Sequence, residues 1–146
     1  MKRIILYLFL FVTLCQYSTA KDFTREKINF NREWKFQLGD IKDASKINFD
    51  DKNWQNIGLP HTFSLPYFMS PDFYVGYGWY RKQFNIPSEY QGKRFYLEFE
   101  AAFQDAEIFI NGTKVGSHKG GYTGFSIDIT NKAIVGKNAF SHESGI

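Results

Sequence analysis

Apolar and polar residues alternate with a period of two through most of the apolar stretches of this chain, and no stretch carries the spacing of an amphipathic helix. Trp34, Phe36 and Leu38 alternate with Lys35 and Gln37, as in a half-buried strand. In WYRKQFNI, Tyr80, Phe84 and Ile86 fall on one side and Trp79, Arg81 and Gln83 on the other, and Pro87 ends the run. Phe95, Leu97, Phe99 and Ala101 alternate with Tyr96, Glu98 and Glu100. Ala106, Ile108 and Ile110 lead into Asn111-Gly112, a pair whose tolerance of positive φ suits a two-residue hairpin turn, so a strand through Val115 should return alongside. Phe125, Ile127 and Ile129 then alternate with Ser126, Asp128 and Thr130. Many short strands separated by turn signals predict an all-β fold, an antiparallel two-sheet sandwich. The lack of strand-helix alternation excludes a doubly wound or barrel enzyme.

The punctuation agrees. Asp50 and Asp51 open a short turn, and a brief apolar stretch follows that Pro60 ends. Residues 62–78 hold Pro66, Pro71, Gly76 and Gly78 among closely spaced aromatic side chains and read as a long irregular loop, a class that is usually functional or disordered. Gly116, Gly120, Gly121 and Gly124 permit sharp reversals, and none introduces a helix whose N-terminus could hold a phosphate.

Composition changes the picture at the N-terminus. Lys2 and Arg3 precede an apolar run from Ile4 to Cys15 and a small-residue end at Ser18-Thr19-Ala20, the pattern of a secretory signal cut after Ala20. The expectation is an exported protein, periplasmic or extracellular, with no membrane association once residues 1–20 are removed. Of 18 Lys and Arg against 15 Asp and Glu, two belong to that signal, so the net charge falls from +3 to +1. No cluster of cations remains that could follow phosphates, which excludes nucleic acid as a partner. Cys15 is the single cysteine and goes with the signal, so no disulfide and no thiolate supports the mature chain. Residues 21–27 are polar and read as a mobile leader.

Candidate chemistry is sparse. Glu98 and Glu100 sit two apart on one strand face, within the range of separations that glycoside hydrolysis uses, but an exposed sheet face offers no opposing surface to hold a sugar between them. His61, His118 and His142 are too scattered to suggest a metal site. Ser64, Ser70, Ser117 and Ser126 lack the strand-to-helix elbow of a hydrolase nucleophile. No catalytic residue, metal ligand or cofactor is therefore assigned. Asn111-Gly112-Thr113 matches a glycosylation acceptor, although hairpin chemistry accounts for it more simply. The aromatic loop is the strongest binding candidate, with Tyr67, Phe73, Tyr74, Tyr77 and Trp79 as rings that could stack on a sugar or, alternatively, pack against another domain.

Taken in order, REWKF, FDDKNWQNIGLPHTF, GYGWYRKQFNIP, GKRFYLEFEAA, AEIFINGTKVGSHKGGYTGFSIDIT and GKN resemble the N-terminal domain of glycoside hydrolase family 2, the group of β-galactosidases, β-glucuronidases and β-mannosidases. The resemblance implies a jelly-roll sandwich of the galactose-binding type over residues 28–138. It implies too a longer chain in which an immunoglobulin-like domain and a catalytic barrel follow, the barrel supplying both glutamates. The partners it implies are a carbohydrate of β-galactoside type and that barrel, and the chain by itself is expected to be inactive. Family members continue after Gly-x-Asn with an alternating apolar strand; here residues 139–146, AFSHESGI, have little alternation, so an atypical tail and a missing last strand are expected. A free-standing secreted carbohydrate-binding module and a purely structural interaction domain are the competing readings.

Overall fold

The computed structural model describes residues 24–63 and 74–145; the expected signal, residues 1–20, lies outside them. Eight strands are present among the described residues: β1 (Trp34–Leu38), β2 (Gln55–Ile57), β3 (Tyr77–Ile86), β4 (Tyr96–Phe99), β5 (Asp105–Ile110), β6 (Thr113–Lys119), β7 (Phe125–Asp128) and β8 (Gly136–Gly145). One turn of 3-10 helix, Ser88–Tyr90, is the helical content among them. Six strands form an antiparallel sheet in the order β2-β1-β3-β8-β5-β6, and β4 pairs with β7 in a second, smaller sheet. The predicted all-β sandwich is what forms.

Period two decides the inner face. Trp34 and Phe36 of β1, Tyr80 of β3, Ala106, Ile108 and Ile110 of β5 and Phe140 of β8 are buried together, with Leu97, Phe99, Phe125 and Ile127 of the small sheet packed against them. Phe30, just before β1, meets Trp34 and Phe84 edge-on at 5.6 and 5.2 Å. The small sheet comes very close to β6: a Cβ on Gly116 would lie 2.7 Å from Ile127 Cδ1. The leader read as mobile has partners where it is described, since Arg25 and Lys27 both reach Glu98 and Tyr90 donates to Glu26.

The outer face of the large sheet is covered as well. Ala44 and Trp54, with Ile41 and Phe49 beside them, pack on Trp79 and form a second apolar cluster. Arg81, which period two points outward, is 1% exposed. Its Nε donates to Asp51 at 2.9 Å, it also donates to the Ala44 carbonyl, and its guanidinium lies 5.3 Å from the Phe49 ring. A buried cation is tolerated only when so partnered, and the same contacts fasten the stretch from Ile41 to Trp54 across the sheet.

The expectation of an atypical tail after Asn138 is overturned. Residues 136–145 form β8, which pairs along its length with β3 and over its second half with β5. It is a central strand covered on both faces, so its residues need not alternate. Asn138, Ser141, His142 and Ser144 are buried polar positions beside Ala139 and Phe140. With β8 in place the edges of the large sheet are β2 and β6.

Asn111 and Gly112 turn β5 into β6 with φ of 51° and 80°, as the dipeptide predicted. The Asn111 amide does more than turn. Nδ2 donates to the Lys132 carbonyl at 3.0 Å and to Asn138 Oδ1 at 2.9 Å, while Oδ1 accepts from the Ala139 N–H at 2.8 Å. Asn138 in turn donates to the carbonyls of Ile134 and Gly136 and accepts from the Ile134 N–H. A glycan on Asn111 would replace an amide hydrogen already in use, which favours the hairpin role over the acceptor motif.

Two outcomes follow for stability. Ending the chain at Asn138 removes most of β8 and the fully buried Phe140 ring, so the truncated chain should lose its cooperative unfolding transition in urea, followed by near-UV circular dichroism. Asn138→Ala leaves several buried polar groups unpartnered and should cost about 1–3 kcal/mol in the same measurement, with the slope on denaturant unchanged.

Candidate functional site

Of the five rings proposed from sequence, Tyr67 and Phe73 lie outside the described residues. Trp79 is corrected: it is 5% exposed and stacks on Phe109 at 5.8 Å beneath the covering segment, so it presents no face to a ligand. Its outward direction on β3 was read properly, but that direction leads into the second apolar cluster rather than to water. Tyr74 and Tyr77 do lie at the surface or near it. Tyr74 is half-buried, donates its hydroxyl to the Tyr77 carbonyl at 3.0 Å, and meets Phe63 edge-on at 6.1 Å. Tyr77 is 50% exposed and its ring lies along Gly145, where an added Cβ would come within 3.1 Å of it.

The strand register shows what else gathers there. Tyr77 opens β3 opposite Gly145 at the end of β8; Gly145 faces Asp105 at the start of β5; Asp105 faces Lys119 at the end of β6. Gln104 N–H donates to the Gly145 carbonyl and Gly120 N–H to the Gln104 carbonyl, binding the 103–104 and 120–122 segments to the same end. Phe103 and Tyr122 stand on it, 42% and 90% exposed, with ring centroids 5.9 Å apart at 66°. The Phe103 ring lies directly over Gly121, where a Cβ would sit 1.9 Å from Cδ2, so a side chain there is impossible without displacing the ring. His118 stacks on Phe125 at 4.1 Å with Nε2 3.1 Å from the Thr123 hydroxyl. One end of the sandwich thus carries three exposed rings, Tyr77, Phe103 and Tyr122, of which sequence reasoning identified the first. The Gly-Gly-Tyr in the turn after β6 was the available signal for the other two, since Gly121 is what lets the Phe103 ring lie over this turn beside Tyr122.

No arrangement suited to hydrolysis accompanies these rings among the described residues. Glu98 is held by Arg25 and Lys27 on the outside of the small sheet, and Glu100 is exposed. Glu143 and Glu107 are cross-strand neighbours on the outer face of the large sheet. Burial, then the nearby Asp40 and Glu107, push the Glu143 carboxyl up from its ordinary value, while Glu107 is paired with Lys114. The two carboxyls stand side by side on one sheet surface instead of facing each other across a sugar, which is the geometry glycoside hydrolysis requires. No group of three or more His, Cys, Asp and Glu among the described residues is placed to hold a metal ion.

The three histidines are separate. His61 Nδ1 lies 3.0 Å from the Tyr80 hydroxyl, and burial lowers its basicity. His142 is buried, stacks against Tyr80 at 5.6 Å and 19°, and meets Phe99 at 6.2 Å; its Nε2 has no partner among the described residues. Burial depresses the His142 imidazole to about 4. The folded state therefore favours the neutral ring, and the unfolded chain binds the extra proton between an ordinary value near 6.5 and about 4. Stability conferred in this way is complete above pH 6.5 and is lost as the pH falls through that window. Unfolding free energy should drop by roughly 1 kcal/mol per pH unit there, and His142→Phe should flatten the slope in urea melts taken at pH 7, 6, 5 and 4.5.

The family model described as "Glycosyl hydrolases family 2, sugar binding domain" matches residues 26–142. The chain is 43% identical over 109 residues to a β-galactosidase of Thermoanaerobacter pseudethanolicus, covering 73% of this chain and 14% of that protein. It is 37% identical over 139 residues to a putative β-glucuronidase of Formosa agariphila, covering 92% of this chain and 16% of that protein. Among solved structures, a β-glucuronidase of Bacteroides uniformis superposes with a TM-score of 0.79 at 37% identity, over 82% of this chain and 14% of that one. The chain thus spans about 14% of the length of such relatives.

Proposed function

The chain belongs to glycoside hydrolase family 2, and from that premise we propose that it works as the sugar-binding accessory domain of an exported, β-galactosidase-like member of the family. Its aromatic end meets carbohydrate, and hydrolysis is supplied by a catalytic barrel outside these 146 residues. The observation that carries this reading is the coincidence of the sugar-binding-domain match with three exposed rings on one end of the sandwich. Tyrosine and phenylalanine present flat apolar faces that suit the C–H faces of a pyranose, and the tyrosine hydroxyls add hydrogen bonding at the rim. Export is supported by the charged, apolar and small-residue pattern of residues 1–20. A purified chain assayed on p-nitrophenyl β-galactoside and β-glucuronide should give no turnover. Turnover that survives purification and disappears in Glu98→Gln/Glu100→Gln or Glu107→Gln/Glu143→Gln would show that the chain hydrolyses glycosides itself and would overturn the accessory role.

A further inference from the structure

We infer that His118 is a positioning residue for the aromatic end: its bond to Thr123 holds the turn that presents Tyr122, and so sets how tightly that end takes carbohydrate. This rests on the reading that the end contacts carbohydrate, and it adds what keeps the contact surface in shape. Tyr122 is 90% exposed, on a turn that its own sequence leaves loose. Gly120, with φ of 108°, and Gly121 precede it and Gly124 follows, and glycines multiply the conformers a free turn visits. A ring on such a turn has to be ordered by each ligand it meets, and that ordering subtracts from affinity. The order must come from contacts made elsewhere.

Those contacts begin where the two sheets meet. Phe99 of β4 and Phe125 of β7 stack at 4.5 Å and 6°, and the His118 imidazole of β6 stacks on Phe125 at 4.1 Å and 14°. The column runs from the small sheet to the edge strand of the large one, and Gly116, two residues before His118, leaves room for Ile127 at the same junction. At the end of this column His118 Nε2 lies 3.1 Å from the Thr123 hydroxyl. Either tautomer of the neutral ring makes that bond, since a hydroxyl both donates and accepts. It ties the strand before the turn to the residue after Tyr122. Gly120 N–H donates to the Gln104 carbonyl at 2.8 Å and the Phe103 ring fills the space over Gly121, which fixes the start of the turn. Among the described residues, the His118–Thr123 bond is the one side-chain hydrogen bond that reaches residues 120–124.

The test combines NMR relaxation at residues 120–124 with calorimetric titration of the chain at pH 7 with β-1,4-galactotetraose. Thr123→Val removes the hydroxyl from an exposed residue, and His118→Phe keeps a ring on Phe125 without Nε2. Each should raise the mobility of residues 120–124 and weaken galactotetraose roughly three- to tenfold, the worth of one hydrogen bond. Thr123→Ser should bind as the unaltered chain does, and the double variant should be no weaker than either single one, because both remove the same bond. The urea midpoint of Thr123→Val should be unchanged, which separates positioning from loss of fold; should His118→Phe fail to fold, Thr123→Val decides alone. A turn that stays rigid in Thr123→Val overturns the assignment, as does a loosened turn with unchanged affinity, and galactotetraose binding then leaves the carbohydrate reading standing. Thr123→Ser binding as weakly as Thr123→Val overturns it too, because the hydroxyl would not be what holds the turn. No binding of galactotetraose by the unaltered chain overturns the carbohydrate reading, and the role of His118 in it falls as well.

Discussion

The pairing of β8 between β3 and β5 is the constraint on which the rest of the structure depends. β3 carries β1 on its far side and β5 carries β6, so four of the other strands in the large sheet are placed by β8 directly or through one neighbour. Both faces of β8 are then covered, the inner one by Phe99 and the small sheet, the outer one in the region where Arg81 and Trp79 are roofed by the stretch from Ile41 to Trp54. A strand in that position must accept polar residues only where each finds a partner. Asn138 does so through four hydrogen bonds along the strand's entry and Ser144 by donating to the Phe103 carbonyl. His142 is the exception, held neutral by burial between two aromatic rings.

That same constraint explains what could be read from the sequence. β1, β3, β4, β5 and β7 each bury one face more deeply than the other over some of their length, and period two marks them at once; Ala106, Ile108 and Ile110 are the clearest case, all at 1% exposure or less. Asn111-Gly112 marks the hairpin through local backbone chemistry alone. β8 escapes because a strand buried on both faces loses the alternation by which strands are recognised, and because its apolar residues are replaced by buried polar ones whose partners lie far off in sequence. Nothing near Asn138 announces that Asn111, 27 residues earlier, completes its hydrogen bonding.

The site was legible in part for a related reason. Exposure of a ring is a tertiary property: Trp79 and Tyr77 share one direction on β3, yet one lies under the covering segment and the other beyond its reach. Sequence gives the direction and leaves the cover unknown. Tyr122 lies in a connection read simply as a reversal and Phe103 in one that carries no pattern, and they become neighbours through Gly121 and through the bonds from Gln104 and Gly120. The resemblance to family 2 located the domain, whereas the rings at its end had to be found from register.

Hydrolysis and sugar contact make opposite demands on the surface around them. An acid catalyst needs a carboxyl in an enclosed site facing a second one, and among the described residues the neighbouring carboxyls Glu107 and Glu143 stand side by side on one sheet face. The domain's acids are spread over the exterior and mostly tied to cations: Asp51 to Arg81, Glu98 to Arg25 and Lys27, Glu107 to Lys114, Asp128 to Arg94. Asp128 shows the consequence, its carboxyl held far below the ordinary range by hydrogen bonds from Thr130 and Arg94, the reverse of what proton donation requires. Stacking needs none of that enclosure. It asks for flat apolar faces fixed at a rim, and strand ends supply these wherever a glycine leaves room beneath a ring, as Gly145 does under Tyr77 and Gly121 under Phe103. The packing that disperses the acids over the exterior therefore also sets rings over glycines at the strand ends.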